Sequence, residues 1–96
     1  MPQFIIIAED DQDEHALERR MAARPSHLEN AARLKAAQQF IIGGAMLNDQ
    51  EKMTGSVMIM DFESEEELNK WLADEPYVNG NVWKKITVKR FKVANV

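Results

Sequence analysis

Cysteine is absent from this chain of 96 residues. Its absence excludes disulfide bonds, catalysis by a thiolate and zinc sites that use cysteine ligands. No apolar run approaches the ~20 residues that span a bilayer as a helix. The first residues also lack the basic segment and the long apolar segment of a signal peptide. These absences predict a cytoplasmic protein without a membrane segment.

A net positive charge is also absent, since the chain carries a formal net charge of −4. This charge argues against general nucleic-acid binding, which depends on neutralising phosphates. Residues 54–60 also lack the aromatic and basic side chains of an RNA-binding ferredoxin-like domain. The basic residues near the end of the chain are Lys84, Lys85, Lys89, Arg90 and Lys92. We interpret them as solvated residues of a strand edge that oppose aggregation.

The apolar pattern predicts elements in the order β, α, β, β, α, β. The strands are expected at about residues 3–8, 40–43, 54–62 and 82–93. Helical segments are expected at about 13–22 and 26–38, with a break or restart at Pro25. A further helix follows Ser64, which forms a capping box with Glu67. This order is the split βαβ pattern of a ferredoxin-like α+β fold, here a single domain over residues 1–96. Its four-stranded antiparallel sheet carries the helices on one face.

Three of the predicted strands contain apolar residues without a break, at 4–8, 40–42 and 57–60. A half-exposed strand would instead alternate apolar and polar residues. The helices can cover only one face of the sheet, so the other face needs a partner. We therefore expect a homodimer that packs sheet against sheet. The alternative is a monomer that exposes a patch of Ile, Met and Val.

One imidazole and two carboxylates are the candidates for acid–base chemistry. His27 lies in the segment 24–28, which we expect to open a helix. Asp74 and Glu75 lie in the segment 74–78, which closes the last helix. An imidazole beside a carboxylate is the simplest acid–base pair that a protein can build. The alternatives are a partly buried structural histidine and acids that are merely exposed at a helix end, where the dipole disfavours them.

A second histidine, His15, has the spacing His15-x-x-Glu18, which could place two metal ligands on one helix. Two ligands do not make a metal site, and the sequence offers no second pair. We expect a surface histidine here, and a protein that needs neither a metal nor a cofactor.

Two arginines, Arg20 and Arg24, could hold an anionic substrate through bidentate hydrogen bonds. Their alternative is pairing on the surface with Glu18 or Glu14. The expected ligand is a small anionic or aromatic molecule.

Three further residues could contact the same ligand. Gly44 and the segment containing Ser56 flank the loop between the second and third strands, where glycine permits a ligand to approach the backbone. Tyr77 could contribute a ring and a hydroxyl donor.

Taken together, these segments resemble the YciI-like (YCII-related) family over nearly the whole chain. The resemblance lies in the order and spacing of residues 17–20, 24–28, 44, 54–56, 62–64, 75–78 and 88–91. It implies a ferredoxin-like dimeric α+β barrel and a pocket with a His–Asp pair that is proposed to be catalytic. His27 matches the histidine of the family. The family acid usually stands immediately before Pro-Tyr or Pro-Phe, and here that position is Glu75, with Asp74 one place earlier. The added methylene lets Glu75 reach ~1.5 Å further.

These observations favour a small metal-independent acid–base enzyme. It would transfer a proton, as a lyase or isomerase does, on a small carboxylated or phenolic compound. His27 would act as the general acid or base, Glu75 would orient it, and Arg24 or the region of Ser56 would bind the substrate. The alternative is a non-catalytic dimeric module that binds a small molecule in the same pocket. A cofactor-free monooxygenase is a third hypothesis, because that group shares the dimeric barrel.

Overall fold

The structure is a computed structural model that describes residues 2–96. Its antiparallel sheet has the strand order β2-β3-β1-β4. The strands are β1 (Gln3–Asp10), β2 (Phe40–Leu47), β3 (Met53–Asp61) and β4 (Trp83–Phe91). The helices are α1 (Ala16–Ala36), α2 (Glu65–Asp74) and α3 (Pro76–Asn79). This arrangement confirms the ferredoxin-like α+β fold.

Helix α1 runs without interruption through Pro25, so the predicted break at this residue is wrong. Proline removes one backbone hydrogen bond from a helix interior and crowds the preceding turn. Pro25 is exposed, and water can therefore hydrate the carbonyl that loses its partner. The buried residues Ala16, Arg20 and His27 lie on one face of the continuous helix, and their packing holds both halves together. His27 consequently lies in the second half of a long helix and does not begin one.

The capping of α2 agrees with the prediction in part. The Ser64 side chain accepts a hydrogen bond from the Glu67 backbone N–H at 3.2 Å. The Glu67 carboxylate accepts from the backbone N–H of Glu63 at 2.9 Å, one residue before the position that a capping box uses. The sequence did not predict α3, a single turn that begins at Pro76 immediately after α2.

The outer strands differ in length from the prediction. Strand β2 continues to Leu47, because neither Gly43 nor Gly44 adopts the positive φ that would turn the chain. Strand β4 is shorter than predicted and ends at Phe91.

The two faces of the sheet differ in burial. The face beneath the helices carries the core residues Phe4, Ile6, Ala8, Met58 and Met60, which are at most 2% exposed. The core continues into Phe62, Leu68, Tyr77, Val82 and Trp83. We call the other side the open face, and its central residues are Ile5, Ile7, Val57, Ile59 and Ile42. Ile42 is 61% exposed, so within residues 2–96 this apolar face lacks a covering layer. In the same range, no helix combines the length and the apolar character that crossing a membrane requires.

Candidate active site

A histidine and a glutamate from distant parts of the chain form a buried pair. His27 Nδ1 lies 2.5 Å from Glu75 Oε1. His27 is 8% exposed and Glu75 is 2% exposed. A carboxylate at Nδ1 favours the ring proton on that nitrogen, which leaves Nε2 as the acceptor of the ring.

The position of Glu75 is set by the start of α3. Glu75 is the N-cap of this helix, and its Oε1 also accepts a hydrogen bond from the Tyr77 backbone N–H at 3.2 Å. Pro76 occupies the first helical position, where proline is favoured. The sequence Glu-Pro-Tyr therefore forms a capped turn that directs one carboxylate oxygen at the imidazole.

Tyr77 supports the imidazole from the side of the core. Its ring stacks on that of His27 with centroids 4.1 Å apart and an angle of 22° between the planes. Trp83 meets the His27 ring edge-on, with a centroid distance of 6.2 Å. Burial raises the pKa of the Tyr77 hydroxyl, against the opposing effect of Arg20 and Arg24. The phenol therefore stays protonated at neutral pH and can act as a hydrogen-bond donor.

A second buried polar cluster lies on the other side of Tyr77 along α1. Arg20 Nη1 donates to both carboxylate oxygens of Asp10, at 2.9 and 3.0 Å. Arg20 Nη2 donates to Ser56 Oγ at 2.8 Å. The guanidinium carbon lies 4.6 Å from the centroid of the Tyr77 ring. Burial raises the pKa of the Asp10 carboxyl, while the charge and hydrogen bonds of Arg20 act in the opposite direction.

The two clusters meet at one small cavity of about 90 Å³ between α1 and β2. Its polar lining comes from Arg20, Arg24, His27, Ser56 and Tyr77. Its remaining lining comes from Leu28, Ala31, Phe40, Gly43, Gly44, Ala45 and Met58. His27 and Ser56 both line this small space. The structure therefore gathers at one cavity all the residues that the sequence suggested for ligand binding.

Two of the sequence candidates lie elsewhere. Asp74 is exposed, and it lines a separate groove of about 350 Å³ with Trp71 and Lys70. The side chain of His15 is 66% exposed and contacts Glu14 and Glu18. Within residues 2–96, no three His, Asp or Glu side chains come together as a set of metal ligands.

The alternative interpretation of Arg20, pairing at the surface, is wrong, and two residues near the site were not predicted from the sequence. Arg20 pairs with Asp10 in the interior, and does not pair with Glu14 or Glu18 at the surface. No motif in the sequence singled out Asp10. Its position two residues after Ala8 in a strand was the available signal, because alternate residues share a face. Trp83 lies at the start of β4, and no pattern in the sequence connected it with His27.

Comparison with known proteins gives one family. The sequence model of the YCII-related domain matches residues 2–92. The protein YciI of Escherichia coli O6:H1 (strain CFT073) is 35% identical over 95 residues, which cover 93% of this chain and 95% of that protein.

Two solved structures share the fold. The first is the 5-chloro-2-hydroxyhydroquinone dehydrochlorinase TftG of Burkholderia phenoliruptrix AC1100, in complex with 2,5-dihydroxybenzoquinone. It is 28% identical, has a TM-score of 0.82, and the match covers 96% of this chain and 95% of that one. The second is a dimeric ferredoxin-like protein of unknown function from Jannaschia sp. CCS1, which is 12% identical with a TM-score of 0.59. That match covers 97% of this chain and 100% of the other. By its sequence match over residues 2–92, the chain belongs to the YCII-related domain family.

Proposed function

We propose that this protein is an acid–base enzyme that transfers a proton on a small phenolic or carboxylated ring compound. The observation that carries the proposal is the buried pair of His27 and Glu75 beside a cavity. In this mechanism Nε2 of His27 takes a proton from the substrate. The bond that breaks is either an O–H bond, whose electron pair stays on that oxygen, or a C–H bond next to a carbonyl group, whose electron pair moves onto the carbonyl oxygen. Return of the proton to another atom completes an isomerisation. Re-formation of the carbonyl with departure of a leaving group, which takes its bonding electron pair, completes an elimination.

Glu75 has the role of a positioning residue in this mechanism. Its carboxylate holds the proton on Nδ1 and stabilises the imidazolium that forms when Nε2 accepts a proton. The stacked ring of Tyr77 fixes the plane of the imidazole. A general acid or base placed in this way typically contributes 10²- to 10⁴-fold to the rate.

Arg24 supports the assignment of an anionic substrate. It lies on α1 one turn before His27, is half-buried, and lines the cavity. Within residues 2–96 it makes no ion pair. A guanidinium with free donors binds carboxylate and phenolate oxygens well.

The size of the cavity favours a ligand that enters only in part. A volume of about 90 Å³ is smaller than the ~150 Å³ of a cavity that accommodates benzene. The lining residues Leu28 and Gly44 are exposed, so the rest of a ring can extend between α1 and β2. The ring compound bound to TftG is of the class that we expect here.

We further propose that two copies pack through their open faces to form a homodimer. The support is the row formed by Ile42, Ile59 and Ile5, which are cross-strand neighbours on the open face. Covering such a patch removes apolar area from water, which stabilises the dimer by ~25 cal/mol for each Å² that is buried.

The test of the enzymatic function is exchange of hydrogen between a probe and solvent. The probe is 2,5-dihydroxybenzoquinone in deuterated buffer. A deuteron adds to a ring carbon to give the keto tautomer, His27 takes the proton from that carbon, and NMR follows the loss of the ring hydrogens. We expect the protein to accelerate this exchange, and His27→Ala to reduce the acceleration by ~10²-fold or more.

Binding without exchange would favour the non-catalytic module over the enzyme. Equal exchange in the parent and in His27→Ala would overturn the assignment of His27 as the acid or base. The variant His15→Ala is the matched control, because it removes an exposed imidazole outside the cavity.

A further inference from the structure

Ser56 presents a hydrogen-bond donor that the fold leaves unused. Its side chain is buried, at 2% exposure, and lines the cavity. Its oxygen accepts one hydrogen bond, from Arg20 Nη2 at 2.8 Å. A guanidinium has no acceptor, so the hydroxyl hydrogen of Ser56 must point elsewhere. Within residues 2–96 it meets no acceptor at hydrogen-bond distance.

Arg20, which also lines the cavity, carries a second unpaired donor. The side chain is 2% exposed, and its Nε is buried without an acceptor among the described residues. Both Nη groups are already engaged, by Asp10 and by Ser56. Buried donors without acceptors are rare in folded proteins, because each costs about 1–3 kcal/mol. Of the two, the hydroxyl of Ser56 is the donor that we take to be available to an acceptor in the cavity.

We infer that Asp10, Arg20 and Ser56 form a donor relay that stabilises negative charge on a ligand oxygen in the cavity. This inference rests on the proposed function. When His27 takes a proton, the electron pair moves onto an oxygen of the substrate. Ser56 donates a hydrogen bond to that oxygen and keeps its own proton. The site then has two functional groups: His27 removes a proton, and Ser56 stabilises the negative charge that remains on the substrate.

Arg20 and Asp10 act as positioning residues in this relay. The donation from Arg20 to Ser56 Oγ polarises the hydroxyl and strengthens the bond that it donates in turn. Asp10 fixes the guanidinium through both of its oxygens and balances its charge. The relay is held by three elements, with Asp10 at the end of β1, Arg20 on α1 and Ser56 on β3. Donors held rigidly toward developing charge need no reorganisation during the reaction.

The small size of the cavity supports the proposal that His27 and Ser56 act on the same ligand. Ser56 and His27 line the same space of about 90 Å³. In the proposed mechanism, Ser56 therefore binds an oxygen of the same fragment from which His27 takes the proton. This arrangement suits a carbonyl oxygen on the carbon next to the one that loses the proton.

The experiment compares Ser56→Ala and Ser56→Cys with the parent in the exchange of ring hydrogens of 2,5-dihydroxybenzoquinone. Loss of one such donor typically lowers the rate by ~10²- to 10³-fold. We expect a fall of about this size at saturating probe in Ser56→Ala, with a smaller change in the half-saturating concentration. A contact that strengthens as charge develops gives this pattern. Cysteine keeps the shape but is a weak donor, so Ser56→Cys should resemble Ser56→Ala.

The matched control is Thr54→Val, which removes a hydroxyl from the same strand. Thr54 is exposed, its hydroxyl contacts the carbonyl of Met46 at 3.5 Å, and it is not among the residues that line the cavity. We expect exchange in Thr54→Val to equal that of the parent. Exchange that depends on His27 but is unchanged in Ser56→Ala would overturn the relay and leave the proposed function standing. Exchange that does not depend on His27 would overturn the proposed function itself.

The role of Arg20 is tested by Arg20→Lys, which keeps the charge opposite Asp10 but has no planar fork to reach Ser56 as well. We expect its rate at saturating probe to fall toward that of Ser56→Ala, and the double variant with Ser56→Ala to lose little more. Additive losses would show that Arg20 acts independently of Ser56 and would overturn the relay.

Discussion

His27 and Glu75 are separated by 48 residues along the chain, and Nδ1 of one lies 2.5 Å from Oε1 of the other. The neighbouring acid, Asp74, is exposed at the end of α2. The change in backbone direction between these two positions comes from the N-cap of α3, where Glu75 adopts an extended conformation with φ −67° and ψ 125°. A single peptide unit therefore separates a carboxylate of the candidate site from one in solvent.

The first prediction concerns this pair of adjacent acids. Glu75→Gln should lower the rate of probe exchange by on the order of 10²-fold, because an amide cannot stabilise an imidazolium as a carboxylate does. The amide oxygen can still cap Tyr77, so the fold should persist. Asp74→Asn is the control and should leave exchange unchanged. The nitrogen shifts of the His27 ring in NMR spectra should change in Glu75→Gln alone. A larger loss of probe exchange in Asp74→Asn than in Glu75→Gln would make Asp74 the partner of His27.

The second prediction concerns the stability that Arg20 contributes. Replacing Arg20 with Met leaves Asp10 buried without its partner, which should lower the free energy of unfolding by ~3–5 kcal/mol. Urea denaturation followed by circular dichroism measures this change. Arg19→Met is the control, since Arg19 pairs with Asp13 near the surface and should contribute less. Replacing Asp10 as well should restore part of the loss. Equal losses from Arg19→Met and Arg20→Met would contradict the prediction.

The third prediction concerns the dependence of stability on pH. The hydrogen bond from the side chain of Arg19, together with the backbone N–H of His15, holds the pKa of Asp13 well below its ordinary value of 3.8. A group whose pKa is lowered by folding stabilises the fold above the pKa of the unfolded chain. This contribution is lost as the pH falls through the lower folded value. Thermal unfolding should therefore show Asp13→Asn to be less stable than the parent at pH 7. The difference should shrink below about pH 4, and a difference that grows in acid would have the wrong sign.

The fourth prediction uses two neighbours in β3 to separate dimerisation from folding. Ile59 lies on the open face, whereas Met58 is 1% exposed in the core. Ile59→Glu should give a folded monomer in sedimentation experiments, because it places a charge only in the proposed interface. Met58→Glu should unfold the protein, because it buries an unpaired charge. A parent protein that sediments as a monomer would rule out the proposed dimer.

Local patterns in the sequence were sufficient for the order of strands and helices and for the cap at Ser64. They were insufficient at Pro25, because the preference of one residue was outweighed by packing along 21 residues of helix. Single-residue propensities are a weak guide where tertiary contacts bury a long face. The start of α3 was also missed, since a helix of one turn leaves no periodicity to detect.

The candidate site was predictable where its residues carry ionisable groups or lie in segments that resemble the family. His27 and Glu75 were paired through the resemblance to a family, and the position before Pro76 selected the acid. The partnership of Arg20 with Asp10 could not be read in this way, because it depends on how α1 lies across the end of β1. The position of α1 relative to β1 is set by the packing of the whole core, and no local sequence pattern encodes it.

The oxygen of Glu75 that holds His27 is the same atom that caps α3. Local unfolding of this one turn would therefore release the imidazole at the same moment as the backbone N–H of Tyr77. A single equilibrium then governs both whether α3 is folded and whether the imidazole of His27 is held in place. Hydrogen exchange at the Tyr77 amide would report on it directly, and a ligand that rests against His27 should slow that exchange without touching the amide.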